Sequence, residues 1–358
     1  MTLGSSRTYL RPTSFIDAPF GFDGKVARLA GTMTWFSAVE IICGAEKELV
    51  PVEAMEQRLK RLDGPAKAAW TNLVSARAPL TMGNRVVRLD QPQIAGILNV
   101  TPDSFSDGGT YSDPASAADA GFAMAAAGAA LIDVGGESTR PGAKAVWEHD
   151  EIERVLPVVQ RMAASGTAIS IDTRKAAVME AALRVGAWMV NDVSALTYDP
   201  LSAGVVAMAG CPLVLMHHKG SPETMQAAPH YDRPILFEVY DWLEQRIEAA
   251  IAAGVDRSKI IVDPGIGFGK NVQHNLQLLN GLSLLHGLGC PIMLGASRKR
   301  MIGALSDEAT PDRRLGGSLA LALKGVEQGA HLLRVHDVPE TVQALKVWRG
   351  LRDAALTP

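Results

Sequence analysis

Cysteine is scarce in this chain of 358 residues: Cys43, Cys211 and Cys290 are an odd number, far apart in sequence. That usage excludes a disulfide framework and a paired-cysteine zinc site, and leaves three reduced core thiols as the expectation. Long apolar runs are missing too; none reaches the roughly 18 to 20 residues that cross a bilayer. The opening stretch MTLGSSRTYLRPTSF lacks the apolar segment of a secretory signal, so the expectation is a cytoplasmic protein with no membrane partner. Charge of one sign is equally lacking. Thirty-five Lys and Arg against 38 Asp and Glu leave a net −3, with no Lys/Arg block, which disfavours nucleic acid and leaves small molecules as partners.

Several catalytic signatures are also absent. No His-Glu-x-x-His or cysteine pair marks a metal site, and Ser104, Ser138 and Ser297 lack a glycine-flanked elbow, so covalent catalysis by a serine is not expected. The segment Asp263-Pro-Gly-Ile-Gly-Phe-Gly-Lys270 superficially resembles a phosphate loop. A Walker A loop needs Gly at 264 and Ser or Thr at 271, where Pro264 and Asn271 stand, and the dinucleotide fingerprint lacks its final glycine. Its glycines instead let the backbone approach a ligand, with Phe268 as an apolar wall.

What is present is a repeated unit. From Gln93 on, short β-like runs alternate with helical stretches, the pattern of βαβ units and a parallel sheet. The strands are expected at Ile94–Asn99, Ala130–Val134, Ala168–Asp172, Trp188–Val193, Leu213–Met216, Ile260–Asp263, Ile292–Leu294 and Leu332–Val335. Helices are expected at 114–127, 148–164, 175–184, 234–253, 271–286, 313–329 and 339–351, with 201–209 the weakest. Eight such units fit an α/β fold of the (β/α)8 TIM-barrel type, which takes about 250 residues. A doubly wound open sheet is the alternative, but it gathers its ligand at one switch point. Residues 1–92 form an N-terminal accessory extension with a strand, then a strand or helix in VARLAGTMTWFSAVEIIC, and helical spacing at Met55, Leu59 and Leu62. It carries no chemical constellation and reads as a cap or a self-association surface, next to a catalytic barrel at 93–358.

The strand ends carry the functional argument. In order they are Asn99, Asp133, Asp172, Asn191 with Asp192, His217 with His218, Asp263, Ser297-Arg298-Lys299, and Arg334 with His336. In a closed barrel such ends converge on one mouth. Any one of them serves equally well as a turn or helix cap, whereas a whole succession of polar strand ends points to a site. Asp172, Asp263 and Asn191 suit a flat nitrogen-rich ring, while Arg298, Lys299, Arg334 and His336 form a cationic edge suited to an anionic tail. Adjacent His217 and His218 point to opposite faces of an extended segment, so one at most lines the mouth.

The motifs NVTPDSFSDGG, IDVGGESTRPGA, SIDTRK, VNDVSAL, DPGIGFGK, GASRKRMIG and RVHDV, in this order, resemble the dihydropteroate synthases over residues 93 to 350. The resemblance implies condensation of 6-hydroxymethyl-7,8-dihydropterin pyrophosphate with p-aminobenzoate, with release of pyrophosphate. It implies that Asp172, Asn191, Asp263 and Lys299 hold the pterin, with Asp133 supporting the mouth. Asn99, Arg334 and His336 then hold the pyrophosphate, Asn99 through Mg2+, and Thr139 adds a contact. Phe105, Pro141, Phe268 and the stem of Lys299 wall the p-aminobenzoate pocket, where sulfonamides compete in the family. Asp107, Arg140, Met216, Lys270, Ser297 and Arg298 complete the substrate-binding set. The resemblance also implies a homodimer through late helices, around Leu319, Leu321 and Leu323, and a lid over Thr101–Gly109. Arg300 stands where many members have a serine that contacts the p-aminobenzoate carboxylate; it either binds that group or leaves it to the adjacent helix N-terminus. A corrinoid-linked methyltransferase and a non-catalytic pterin-binding paralogue share the pterin pocket, but the methyltransferase has no use for Asn99, Arg334 and His336, and the paralogue is expected to lack Lys299 or the loop residues.

Overall fold

The computed structural model describes residues 7–101, 113–138, 143, 145–221 and 224–356. The N-terminal part is a small unit with its own core. Strands β1 (Thr8–Ile16), β2 (Ala27–Arg28), β3 (Trp35–Cys43) and β4 (Glu46–Pro51) form an antiparallel sheet in which β1 pairs with one edge of β3 and both β2 and β4 pair with the other. The stretch that reads in sequence as strand or helix is a strand, because the β-branched and aromatic residues of WFSAVEIIC find partners on both sides. Helices α1 (Met55–Leu59) and α2 (Gly64–Val74) cover the sheet. Asp63 caps α2 by accepting the Ala66 N–H at 2.8 Å. Ala66, Ala69 and Leu73 then bury one stripe of it against Phe36, Val39 and Met55.

The eight expected barrel strands all form: β7 (Gln93–Asn99), β8 (Leu131–Gly135), β9 (Ile169–Asp172), β10 (Met189–Asp192), β11 (Leu213–Met216), β12 (Ile260–Asp263), β13 (Met293–Leu294) and β14 (Leu332–Val335), preceded by a hairpin of β5 (Leu80–Met82) and β6 (Arg85–Val87). Neighbours pair in parallel in the order β12-β11-β10-β9-β8-β7-β14-β13, and a parallel bridge between Val262 and Ile292 closes the ring. The sheet is therefore a barrel and not an open doubly wound sheet. Its helices are α3 (Pro114–Ala127), α4 (Glu148–Ala164), α5 (Ala176–Arg184), α6 (Ser202–Ala209), α7 (Ile235–Ala252), α8 (Val272–Asn280), α9 (Arg300–Leu305), α10 (Leu315–Glu327) and α11 (Val338–Leu356). The helix expected over 271–286 stops at Asn280. A Cβ at Gly281 would lie 2.4 Å from a Leu236 methyl, so glycine admits close packing on α7 there, and residues 282–288 continue as a tight 3-10 turn.

One residue from each strand or, for β9, the residue just before it, Ala95, Leu131, Ala168, Met189, Val214, Ile261, Met293 and Leu332, shares an apolar cluster at the N-terminal end of the barrel. Leu80, Met82, Val87 and Leu89 pack into the same cluster, so the β5–β6 hairpin plugs the barrel floor. By packing, this hairpin shares the barrel's apolar floor. Gly83 turns the hairpin with φ 61°, and a Cβ there would sit 2.7 Å from the Trp188 ring. Cys211 and Cys290 are buried and Cys43 partly so, and none of the three is in a disulfide. Met82→Ala, which opens a cavity beneath the floor ring, is expected to cost about 2–5 kcal/mol; urea unfolding followed by circular dichroism measures it.

Candidate active site

Side chains alternate across a strand, so the floor ring dictates what stands above it. Two residues beyond the ring come Ile97, Asp133, Ser170, Asn191, Met216, Asp263, Gly295 and Arg334; the polar residues four beyond are Asn99, Asp172, His218, Ser297 and His336. The hydrogen bonds agree with this phase. Asn191 on β10 donates to Asp133 Oδ2 on β8 at 2.9 Å, and Arg334 on β14 donates to Asp133 Oδ2 at 2.5 Å and to Asp172 Oδ2 on β9 at 2.6 Å. None of these strands are sheet neighbours, so the bonds run through the barrel interior. Gly295 leaves room there: a Cβ would stand 3.5 Å from Asp263 Oδ2 and 3.9 Å from the Arg334 stem.

Three carboxylates, Asp133, Asp172 and Asp263, are buried in this mouth. Burial pushes the Asp172 carboxyl up to about 7, against the pull of Arg334. Burial likewise raises Asp263, although the Gly265 N–H at 2.6 Å and the charge of Lys299 oppose it. Burial works against the Arg334 charge, but Asp133 and Asp172 outweigh it and hold the guanidinium above its ordinary value. Asp133 Oδ1 is buried without a hydrogen-bond donor among the described residues. An acceptor in that position costs about 1–3 kcal/mol until a ligand N–H meets it. Lys299 sits just before α9, its ammonium 4.2 Å from the centre of the Phe268 ring, and its stem lies over Gly267, where a Cβ would be 3.3 Å from Lys299 Cδ.

The structure thus brings together Asn99, Asp133, Asp172, Asn191, Met216, Asp263, Phe268, Ser297, Lys299, Arg334 and His336. Three expectations change. Lys270 is not at the mouth: it is buried, and its Nζ contacts His217 Nδ1 at 2.8 Å and the carbonyls of Gly265 and Phe268 at 2.9 and 3.0 Å, so it organises the loop from within. Arg298 lies in a turn after β13; its guanidinium pairs with Asp337 and not with the mouth. Its backbone is left-handed at φ 56°, held by Ser318 Oγ at 2.9 Å and by Arg314 at 3.0 Å. His336 supplies no charge, because burial and the adjacent Arg334 and Arg298 push its imidazole down to about 3; Ser297 Oγ lies 3.0 Å from its Nδ1. Of the pair His217-His218, His217 is buried and packs edge-on against Trp242, and half-buried His218 contacts the Gly220 carbonyl at 3.2 Å. Asp192 is buried and caps its own loop through the Ser194 and Leu196 N–H groups. Arg300 is exposed at the start of a six-residue helix. Phe105, Asp107, Thr139, Arg140 and Pro141 lie outside the described residues, as does most of the Thr101–Gly109 stretch.

A buried set of acids around one barrel cation suits a planar ligand rich in N–H groups, and comparison with known proteins agrees. The model of the family described as pterin binding enzyme matches residues 95–336. This chain belongs to the pterin-binding enzymes. Among its relatives, the Escherichia coli K12 dihydropteroate synthase is 46% identical over 260 residues, 72% of this chain and 91% of that protein. The Mycobacterium leprae dihydropteroate synthase is 49% identical over 261 residues, 71% of this chain and 92% of its own. Among solved structures, the Yersinia pestis dihydropteroate synthase with a sulfonamide drug complex has a TM-score of 0.74 at 44% identity, covering 77% of this chain and 100% of that one. The Xanthomonas albilineans dihydropteroate synthase in complex with 7,8-dihydropteroate has 0.70 at 44%, covering 77% and 99%.

Within this pterin-binding enzyme a second charged group escaped the sequence reading. Glu137, Arg174, Lys175 and Glu151 meet where the loop after β8 joins the loop after β9. Lys175 Nζ bridges Glu137 at 3.0 Å and Glu151 at 2.5 Å, Arg174 pairs with Glu137 at 2.9 Å, and the Arg174 guanidinium lies 3.9 Å over Tyr198. Glu137 also accepts the Val146 N–H at 2.9 Å, closing the loop after β8 onto α4. Glu137, Arg174 and Lys175 fall inside the GGESTRPGA and SIDTRK motifs, but Glu151 stands on an ordinary helical turn with no signal of its role. Lys175→Met leaves two buried carboxylates without their shared cation and is expected to cost about 3–5 kcal/mol in urea unfolding, while Arg184→Met, on an exposed i,i+4 pair, costs under about 1 kcal/mol.

Proposed function

We infer that this mouth joins the methylene carbon of 6-hydroxymethyl-7,8-dihydropterin pyrophosphate to the amine of p-aminobenzoate: the chain is a dihydropteroate synthase of folate biosynthesis. The observation that carries the reading is the ring of buried acceptors, Asp133, Asp172 and Asp263, gathered with Asn191 about one barrel cation and including the unpartnered Asp133 Oδ1. Asp172, Asp263 and Asn191 meet the N–H edge of the pterin, Asp133 accepts one further donor, and Met216 packs on the ring. Arg334, already at the rim between two acids, turns its remaining N–H groups to the pyrophosphate; neutral His336 donates an imidazole N–H, oriented by Ser297. The methylene carbon–oxygen bond breaks with its electron pair leaving on pyrophosphate. The aniline nitrogen then bonds to that carbon and releases a proton. No protein nucleophile is required; positioning and fixed charge supply the catalysis. Phe268 and the Lys299 stem wall the p-aminobenzoate side, which is also where a sulfonamide competes. Phe105, Pro141 and Thr139, on the loops outside the described residues, belong to the same proposal, with Asp107 and Arg140 beside them.

Magnesium is part of this reading. Asn99 presents a single amide at the end of β7, and no group of three or more His, Cys, Asp or Glu able to hold an ion occurs among the described residues. Such a sparse donor set fits an ion that keeps its waters and takes further ligands from a diphosphate. When bound, it supplies positive charge to the departing pyrophosphate. Homodimerisation through α10, around Leu319, Leu321 and Leu323, all half-buried, is proposed with it. So is a cytoplasmic location; no helix among the described residues is long and apolar enough to cross a membrane.

Incubation with the pterin pyrophosphate, p-aminobenzoate and magnesium is expected to release equal amounts of pyrophosphate and dihydropteroate; failure to release either sinks the reading. Lys299→Ala is expected to lose about 100-fold or more in kcat/KM with an unchanged circular dichroism spectrum, and full activity in that variant contradicts the assigned role. Asp172 adds a pH dependence. Its carboxyl, raised to about 7, is protonated below that pH and ionised above it, and the ionised form is the better acceptor for the pterin N–H. KM for the pterin substrate therefore rises as pH falls through about 7, and Asp172→Asn flattens that limb in a pH series of initial rates.

A further inference from the structure

The accessory unit lies largely outside the part of the chain shared with the relatives; the Escherichia coli protein, for example, matches 72% of this chain. Yet it is joined to the barrel by polar bonds along its whole length. Ser283 Oγ donates to the Pro12 carbonyl at 2.9 Å, Asn72 to the Gly287 carbonyl at 2.8 Å and Arg77 to the His286 carbonyl at 2.9 Å. We propose that this unit is a positioning element for the substrate pocket, acting from Arg7 and Tyr9 through Asp241 and the segment before α7 onto the glycine loop beneath Phe268 and Lys299. The pocket's identity rests on the function inferred above; the mechanical linkage does not.

The linkage is continuous. Tyr9, at the start of β1, stacks on Phe237 with ring centres 4.4 Å apart and donates its hydroxyl to Asp241 at 2.9 Å. Arg7 reaches the same Asp241 at 3.0 Å and chelates Glu244 at 2.5 and 2.7 Å. The third partner of Asp241 comes from the barrel side: Arg233, two residues before α7, donates to Oδ2 at 2.7 Å. Asp241 therefore ties the accessory unit to the segment leading into α7. That segment carries two donors that act on the glycine loop. Gln226 Nε2 donates to the Gly267 carbonyl, and Tyr231 Oη donates to the Gly269 carbonyl at 3.0 Å. From the other side, buried Asn275 accepts the Gly267 N–H at 2.8 Å.

These bonds matter because the loop is unusual backbone. Gly267 and Gly269 have φ of 85° and 67°, and a Cβ at Gly269 would fall 2.2 Å from the Lys219 carbonyl oxygen. Phe268 stands between two peptides fixed by Gln226, Asn275 and Tyr231, and the Lys299 ammonium rests on its ring. Loosening Asp241 releases Arg233 and the segment before α7, and with it the wall of the p-aminobenzoate side, while the pterin acids inside the barrel stay where the strands hold them.

Full-length Tyr9→Ala, Tyr9→Phe and Lys47→Ala test this, Lys47 being an exposed residue of β4 with its nearest carboxylate, Glu40, 3.7 Å away. Hydrogen exchange of residues 264–271 is followed by mass spectrometry alongside steady-state rates. Expected for Tyr9→Ala are faster exchange confined to 264–271 and the segment 224–234, and a KM for p-aminobenzoate raised about fivefold or more with kcat within about twofold. Tyr9→Phe keeps the stack and loses only the hydroxyl, so it gives a smaller rise; Lys47→Ala behaves as wild type. Unchanged exchange and KM in both Tyr9 variants overturn the proposal, as does exchange accelerated throughout the barrel, which marks general destabilisation. Should Tyr9→Ala not fold, Tyr9→Phe decides by the same two readouts. A local exchange response in an enzyme that makes no dihydropteroate supports the linkage and refutes the function instead.

Discussion

A guanidinium inside a barrel holds this site together. Arg334 bonds to Asp133 and Asp172 across strands that are not neighbours, and it lies within the field of Asp263. Removing several carboxylates from water costs several kcal/mol each unless charge and hydrogen bonds compensate. Arg334 and Asn191 provide part of that compensation, and the Gly265 N–H provides more for Asp263. What is left incomplete, notably Asp133 Oδ1, is capacity for a ligand. The apolar floor below keeps the field concentrated, because the β5–β6 hairpin closes the bottom and leaves the C-terminal mouth as the polar end.

A second principle operates in the loops. Where strands end, backbone is no longer held by ladder bonds, and side chains take over the holding. Lys270 binds two carbonyls of its own loop, Asp192 caps the turn to Leu196, Arg298 is pinned in a left-handed conformation, and Gln226 with Tyr231 braces the glycine loop from outside. Charged residues next to the mouth thus divide between chemistry and scaffolding. The accessory unit extends the scaffold outward, since Asp241 bonds to both Tyr9 and Arg233.

The barrel and most of the polar groups gathered at its mouth were legible in the sequence. Helix α4 occupies the expected 148–164 and α3 the expected 114–127, because amphipathic spacing and cap residues are local properties. Strands β11, β12 and β14 match to the residue, since each is a short, mainly apolar run that ends in Asp263 or gives way to His217 or His336 at the passage from core to mouth. The hairpin plug was not legible, because its apolar residues have no periodicity tying them to an eight-stranded floor; only the closed ring supplies their partners.

The sequence by itself therefore determined the order of elements, the polar strand ends and the family motifs that lie on them. Tertiary structure decided which of those polar groups face the barrel mouth. Strand phase separates Asn191 from Asp192, a left-handed turn at Arg298 separates it from Lys299, and burial beside Arg334 strips the charge from His336. It also gave Glu151 and Asp241 their partners, Lys175 in one case and Arg7, Tyr9 and Arg233 in the other. Local pattern reports what a side chain is; a charge's environment is set by residues hundreds of positions away, and that is where its ionisation and its role are settled.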